Sequence, residues 1–140
     1  MLFRSVGCCL FELYTGRILF SGSDNNSMLK AIQDVKGRFP KKMLMRAQFG
    51  AQHFDSDCVF EWRKRDPVTG GDLVTKIRYS DKASRDLFHL LRDSSGHRAT
   101  QHDLHKLRQL ADFIHQCTVL DPQQRAKCDE LLHHPFISED

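Results

Sequence analysis

No apolar run in these 140 residues approaches the ~20 that a bilayer-spanning helix needs, so no transmembrane segment and no membrane partner are expected. Paired cysteines are missing as well. Cys8, Cys9, Cys58, Cys117 and Cys128 are an odd number without C-x-x-C spacing, which argues against a disulfide framework and points to reduced thiols in a cytosolic or nuclear protein. Net charge is scarce. A formal +3 does not imply nucleic acid, and the eight histidines raise it only in mild acid. Internal repeats and low-complexity tracts are also lacking. The opening "MLFRSVGCCLFELYTG" is broken by Glu12 and followed by no small-residue cleavage site, so it is not expected to be a targeting segment. What remains is an ordinary globular composition, long enough for one domain with a modest core.

The apolar pattern is mostly helical. Val6, Cys9, Leu10, Leu13 and Tyr14 recur at helical spacing over 5–14, with Gly16 as the stop. This segment is apolar on most sides, as a helix inside a larger domain would be. Ser23 or Asp24 can cap a second helix bearing Met28, Leu29, Ile32 and Val35, stopped at Gly37. "FPKKMLMRAQF" predicts a short basic helix opening near Pro40. The period then changes to two. "CVFEWRKR" and "DLVTKIRY", joined by the turn-rich "DPVTGG", predict a hairpin with Phe60, Trp62, Leu73 and Ile77 on one face. A short helix is expected over 84–91, then a polar loop "RDSSGHRATQ". From His102, the residues Leu104, Leu107, Leu110, Ala111, Ile114 and Cys117 predict the longest helix. A final helix is expected over 127–133, stopped by Pro135.

Two stretches carry a resemblance. "LDPQQRAKCDELLHHPFI" is similar to the end of a eukaryotic protein kinase domain, with Leu120, Asp121, Pro122, Arg125, Glu130, Leu132, His134, Pro135 and Phe136 matching an L-D-P-x-x-R turn and a terminal H-P-F. "SVGCCLFELYTG" resembles the buried central helix of the same C-terminal lobe, S-x-G-C-x-x-x-E-L-x-x-G. The hairpin and helices between them resemble the insert of the CMGC kinase group, and "ELYTGRILF", "NNSMLK" and "KGRFPKKM" look most like its spliceosome-associated pre-mRNA-processing branch. The resemblance runs from Ser5 to Ile137 and implies a mainly α fold: a partial kinase C-terminal lobe over 1–140 with a β-hairpin insert over 52–101. It places Val6, Gly7, Leu10, Leu13, Leu120, Pro122, Leu132, Pro135 and Phe136 in the lobe core.

In that family the arginine at the position of Arg125 pairs with the glutamate of an A-P-E motif. No A-P-E occurs here, so Arg125 is expected to turn toward water, because a buried charge without its counter-charge is costly. Leu2 and Arg4 stand where the family helix has aspartate and tryptophan, and Lys127 replaces a capping Ser or Thr. The abrupt mismatch before Ser5 suggests a truncated or mis-started coding sequence.

Phosphoryl transfer needs a glycine-rich phosphate loop, a lysine, a catalytic aspartate and metal-holding Asp and Asn. The sequence has no G-x-G-x-x-G, V-A-I-K or D-F-G, and its nearest approach to H-R-D, His97-Arg98-Ala99, lacks the aspartate. No catalytic, cofactor or metal residue is therefore expected in this chain, and ATP with Mg²⁺ would be held only by a full-length parent. The C-terminal histidines, including the i,i+3 pair His102 and His105, are read as solvated helix residues, and Cys8 and Cys117 as thiols without a general base. The basic, aromatic strand "FEWRKR" raises RNA binding, but its aromatics share the packed face and Glu61, Asp66 and Asp72 dilute its charge, so proteins are the expected partners.

The implied function is a segment of a nuclear serine/threonine kinase whose full-length form phosphorylates splicing proteins. The alternative is a non-catalytic interaction module derived from a kinase lobe. For the chain itself, the apolar first helix predicts exposed apolar surface and dye binding.

Overall fold

The computed structural model describes residues 4–94 and 100–139. In chain order the elements are α1 (Arg4–Thr15), α2 (Asn25–Lys36), α3 (Lys41–Met45), a 3₁₀ turn (Gly50–Gln52), β1 (Phe60–Arg65), β2 (Asp72–Ile77), α4 (Leu87–Ser94), α5 (Gln101–Cys117), α6 (Cys128–Leu132) and α7 (Pro135–Ser138). The chain is mainly helical, with one two-stranded antiparallel sheet. It divides into two compact units, one of residues 1–19 with 85–140 and one of 20–84. The expected insert, 52–101, straddles that division.

The first unit is organised on α5. Thr100 caps it by accepting from the Asp103 backbone N–H, and the Asp103 carboxylate accepts from Thr100 N–H at 2.8 Å in return. Two orphan donors of the first turn are thus satisfied, and the helix starts at Gln101. Leu107, Leu110, Ala111, Phe113, Ile114 and Cys117 form its buried stripe at the spacing the sequence predicts. α1 crosses α5 at Gly7, where an added Cβ would sit 2.8 Å from Cys117 Cβ. Only a residue without a side chain allows that approach. α1 ends as expected, with Gly16 at φ +68° and its N–H on Glu12 O.

Several expectations for this unit are corrected. Within α1 only Gly7 and Phe11 are buried, with Leu10 half-buried, because a single stripe of the helix faces α5. The 3.6-residue period carries Val6 and Leu13 off that stripe, and they are 41% and 83% exposed. Leu132, Pro122 and Pro135 are exposed too, so of the residues assigned to the lobe core only Gly7 is buried in this chain, while Leu10, Leu120 and Phe136 are half-buried. α4 begins at Leu87 rather than Ser84, since Asp86 caps it: its carboxylate accepts from His89 N–H at 3.1 Å and its carbonyl from Leu90 N–H. Pro135 does not merely stop the last helix. It occupies the first turn of α7, where a missing N–H costs nothing, with His134 as the cap. Of the expected polar loop, 92–94 continue α4 and Thr100 and Gln101 open α5; residues 95–99, including His97-Arg98-Ala99, lie outside the described residues.

The exposed side of α1 has a measurable consequence. Leu13, Ile18, Val6 and Tyr14 leave an apolar face open on or just beyond this helix. The chain should enhance fluorescence of an apolar dye, and Leu13→Glu with Ile18→Glu should abolish most of that signal without changing the helical circular dichroism. Undiminished dye binding in the double variant would place the open apolar surface elsewhere.

In the second unit, Asp24 rather than Ser23 caps α2. Its carboxylate accepts from Ser27 N–H at 2.7 Å and from the Ser27 hydroxyl at 2.9 Å, which holds the Asp24 carboxyl below its ordinary range, and Ser27 Oγ accepts from Asp24 N–H at 3.0 Å. Gly37 ends the helix at φ +78°, and a Cβ there would lie 2.6 Å from Asp81 O. The hairpin register runs from Phe60↔Ile77 to Arg65↔Asp72, which puts Phe60, Trp62, Thr75 and Ile77 on one face as expected. Phe60 anchors this unit at 1% exposure, with Phe54 and Tyr79 rings at 5.4 and 6.2 Å. The other edge of β1 is occupied by a side chain: the Asn26 amide donates to Glu61 O at 2.9 Å and accepts from Arg63 N–H at 2.8 Å. Asn26 so stands in for a third strand and ties α2 to the hairpin.

Candidate functional site

The sequence singles out one turn and leaves a groove unannounced. The turn follows α5. Asp121 Oδ1 accepts from Gln123 N–H at 2.9 Å, and Asp121 O accepts from Gln124 N–H, which reverses the chain toward α6. Arg125 does not turn to water. Its Nε donates to Val119 O at 3.0 Å and its Nη2 to Leu120 O at 3.4 Å, leaving the side chain half-buried over the end of α5. Turning outward would leave these carbonyls with one donor fewer, and the guanidinium fork fits both. No carboxylate among the described residues forms an ion pair with it. Burial, then the nearby Arg4 charge, pull its pKa down, with Asp121 opposing. Arg125 is thus a half-buried cation whose direct partners are backbone carbonyls, with the Asp121 charge acting on it from beyond ion-pair distance.

Beside the turn lies the cluster that fixes it. Phe113, Cys117 and Leu131 are buried together, with Leu10, Ala126 and Phe136 packed against them. His134 is 5% exposed and sets its ring edge-on to Phe113 at 5.3 Å. Its Nδ1 accepts from Phe136 N–H at 3.1 Å, so Nε2 carries the proton and donates to Asp112 Oδ2 at 2.9 Å. Although Lys127 offers no cap, Glu130 reaches back and accepts from Lys127 N–H at 2.8 Å.

The groove belongs to the second unit. Met28 and Leu29 of α2, Met43 and Leu44 of α3, and Phe39 and Phe54 wall an apolar hollow of about 360 Å³. Phe39 and Phe54 are buried and meet edge-to-face at 6.1 Å, giving a fixed floor. The rim is exposed: Met43 at 37% and Phe49 at 60%, with Met45 beyond it at 82%. Helical spacing identified Met28 and Leu29, but nothing in the local pattern says that α3 and the 3₁₀ turn close over them. One signal was available: residues 35–54 contain five lysines and arginines and no acid.

Other candidate chemistry disperses. Phe60 is buried, and Trp62 is covered by Lys30 and Lys64, 5.1 and 6.0 Å from its ring, so the hairpin presents no open pair of aromatic planes. Glu61 lies 3.7 Å from Arg63 and 3.8 Å from Lys76, which lowers the positive field of the strand. Among the described residues no three His, Cys, Asp or Glu side chains converge to hold a metal ion. No disulfide joins the cysteines, and burial, then Cys9, raises the Cys8 thiol above its ordinary pKa, the wrong direction for a nucleophile. No helix is long and apolar enough to cross a membrane among the described residues.

No protein-family model matches the chain. Among curated proteins it is 38% identical over 133 residues to the serine/threonine-protein kinase prp4 of Schizosaccharomyces pombe. It is 37% identical over 134 residues to the serine/threonine-protein kinase prpf4B of Dictyostelium discoideum, and 30% over 134 residues to the serine/threonine-protein kinase AFC3 of Arabidopsis thaliana. Each match covers 95% of this chain but only 27%, 16% and 30% of the respective relative, so the chain spans less than a third of the proteins it resembles.

Proposed function

The chain belongs to the CMGC group of protein kinases as a segment of their C-terminal lobe, and on that premise we propose that it is the non-catalytic, partner-facing part of a nuclear serine/threonine kinase that phosphorylates splicing proteins. The observation that carries the proposal is Arg125, a half-buried guanidinium with backbone carbonyls for direct partners and no ion pair to a carboxylate of the described residues. The resemblance implies the glutamate of an A-P-E motif as its counter-charge, and this chain contains no A-P-E. A parent kinase would add that glutamate together with the residues that hold ATP and Mg²⁺. In such a parent Arg125 braces the substrate-binding segment. Splicing proteins as substrates, and the nucleus as the site of action, follow from the likeness of "ELYTGRILF", "NNSMLK" and "KGRFPKKM" to the pre-mRNA-processing branch.

The test is the mass and activity of the endogenous protein. An antibody against "DPVTGGDLVTK" should detect a nuclear band several times heavier than 16.2 kDa, and the immunoprecipitate should transfer phosphate from ATP to serine in splicing factors. A single band near 16.2 kDa without phosphotransfer would overturn the kinase reading and leave an interaction module.

A further inference from the structure

The geometry and charge of the second unit point to a specific kind of partner, and we propose that the groove walled by α2, α3 and Phe54 docks an acidic amphipathic peptide segment of another protein. Apolar side chains of that segment would enter the hollow, and its carboxylates would meet Lys41, Lys42 and Arg46. The inference deepens the partner-facing part of the proposed function and does not depend on kinase activity.

Three observations carry it. The hollow has the size of a small-ligand or side-chain pocket, about 360 Å³, and a rigid floor in the buried pair Phe39 and Phe54. Its rim is the reverse, built from Met43 and Phe49, which are exposed although apolar. Unbranched methionines re-pack readily, which suits a surface that closes on an incoming side chain. The third observation is charge. Lys30, Arg38 and Lys76 of the same unit pair with Asp34, Asp81 and Asp55. Lys41, Lys42 and Arg46 are exposed and form no ion pair with any described residue, and no acid occurs between Asp34 and Asp55 in the chain. Asp24, next in sequence to the groove-lining Asn25, is committed to Ser27. The helix that walls the apolar hollow thus carries, with its cap Arg46, positive charge that has no ion-pair partner among the described residues.

That combination selects a peptide over the other polyanions. A nucleic acid would need successive open aromatic planes to stack on, and with Phe39 and Phe54 buried the groove exposes Phe49 alone of its phenylalanines. A membrane surface would be met by an apolar ridge and a long basic helix, whereas α3 is five residues long and borders a hollow. An amphipathic segment with acidic flanks satisfies both the hollow and the charges.

The test uses the 140-residue chain and fluorescence anisotropy with three labelled peptides that share one Leu/Phe helical face and carry glutamate, glutamine or lysine on the other. The glutamate peptide should bind about tenfold tighter than the lysine peptide, with the advantage shrinking as salt is raised. Lys41→Glu, Lys42→Glu and Arg46→Glu combined should invert the order of the glutamate and lysine peptides. Phe49→Ser with Met43→Ser should weaken all three, with circular dichroism unchanged in both variants because the replaced side chains are exposed. Equal affinity for the three peptides, no binding to any, or binding only to phosphatidylserine vesicles would each overturn the proposal. Any of these beside a heavy, active endogenous kinase would leave the kinase reading intact, and peptide selectivity beside a lone band near 16.2 kDa would do the reverse.

Discussion

Phe60→Ala should lower the local stability of residues 20–84 by about 3–5 kcal/mol, the ordinary cost of deleting a buried phenylalanine ring. Phe60 is 1% exposed and joins three parts of this unit. It contacts Phe54 and Tyr79 by ring, pairs with Ile77 through the hairpin, and forms an isolated bridge with Phe54. A two-stranded hairpin is marginal alone in water, so what holds it is this packing and the Asn26 side chain at its edge. Amide hydrogen exchange reads the effect directly, because it reports opening segment by segment without requiring the whole chain to unfold at once. Protection of β1, β2 and the N-terminal half of α2 should fall by two or more orders of magnitude. Leu73→Ala, on the same face but 59% exposed, is the control and should leave protection nearly unchanged. Similar exchange in the two variants would mean that the hairpin is held by its edge and not by its face.

The contrast between Phe60 and Leu73 also shows what a sequence pattern can and cannot specify. Period-two alternation and the turn-rich loop specified the strands and the shared face, because each is a local property. Depth along the hairpin is not local: the base is buried and the tip is open, and only the fold decides which end is which. Caps behave similarly. Asp24 and Gly37 were legible, whereas the cap Asp86 falls inside the helix expected over 84–91 and Pro135 was read as a stop, since a helix-breaking residue and a helix-opening one look alike until the preceding φ/ψ is known. Arg125 was legible as a residue in want of an acid but not in its outcome. Its donors fit the Val119 and Leu120 carbonyls in the turn that follows α5, an option that exists only once that helix has ended at Cys117. The groove was the least legible, because it is made by α3 and the 3₁₀ turn closing over α2, and only its acid-free basic border is written in the sequence.

His134→Ala should cost about 3 kcal/mol in the first unit, through a lost buried ring and an orphaned backbone donor together. The ring fills the space beside Phe113, and its Nδ1 is the acceptor for Phe136 N–H at the start of α7. Loss of the Nε2 bond should matter less, because Asp112 is 59% exposed on its side chain and also accepts from Gln116 at 2.9 Å. Asp112→Asn is therefore expected to change stability by under about 1 kcal/mol. His134→Asn separates the remaining two contributions. Asparagine can cap a helix start but cannot replace the ring, so it should recover about 1 kcal/mol of the alanine loss and no more. Because Ala126 packs on the same cluster and adjoins Arg125, the alanine variant should also speed exchange through residues 118–127. Faster exchange confined to α7 would show that the cluster does not hold the arginine turn, and that the Val119 and Leu120 carbonyls restrain Arg125 on their own.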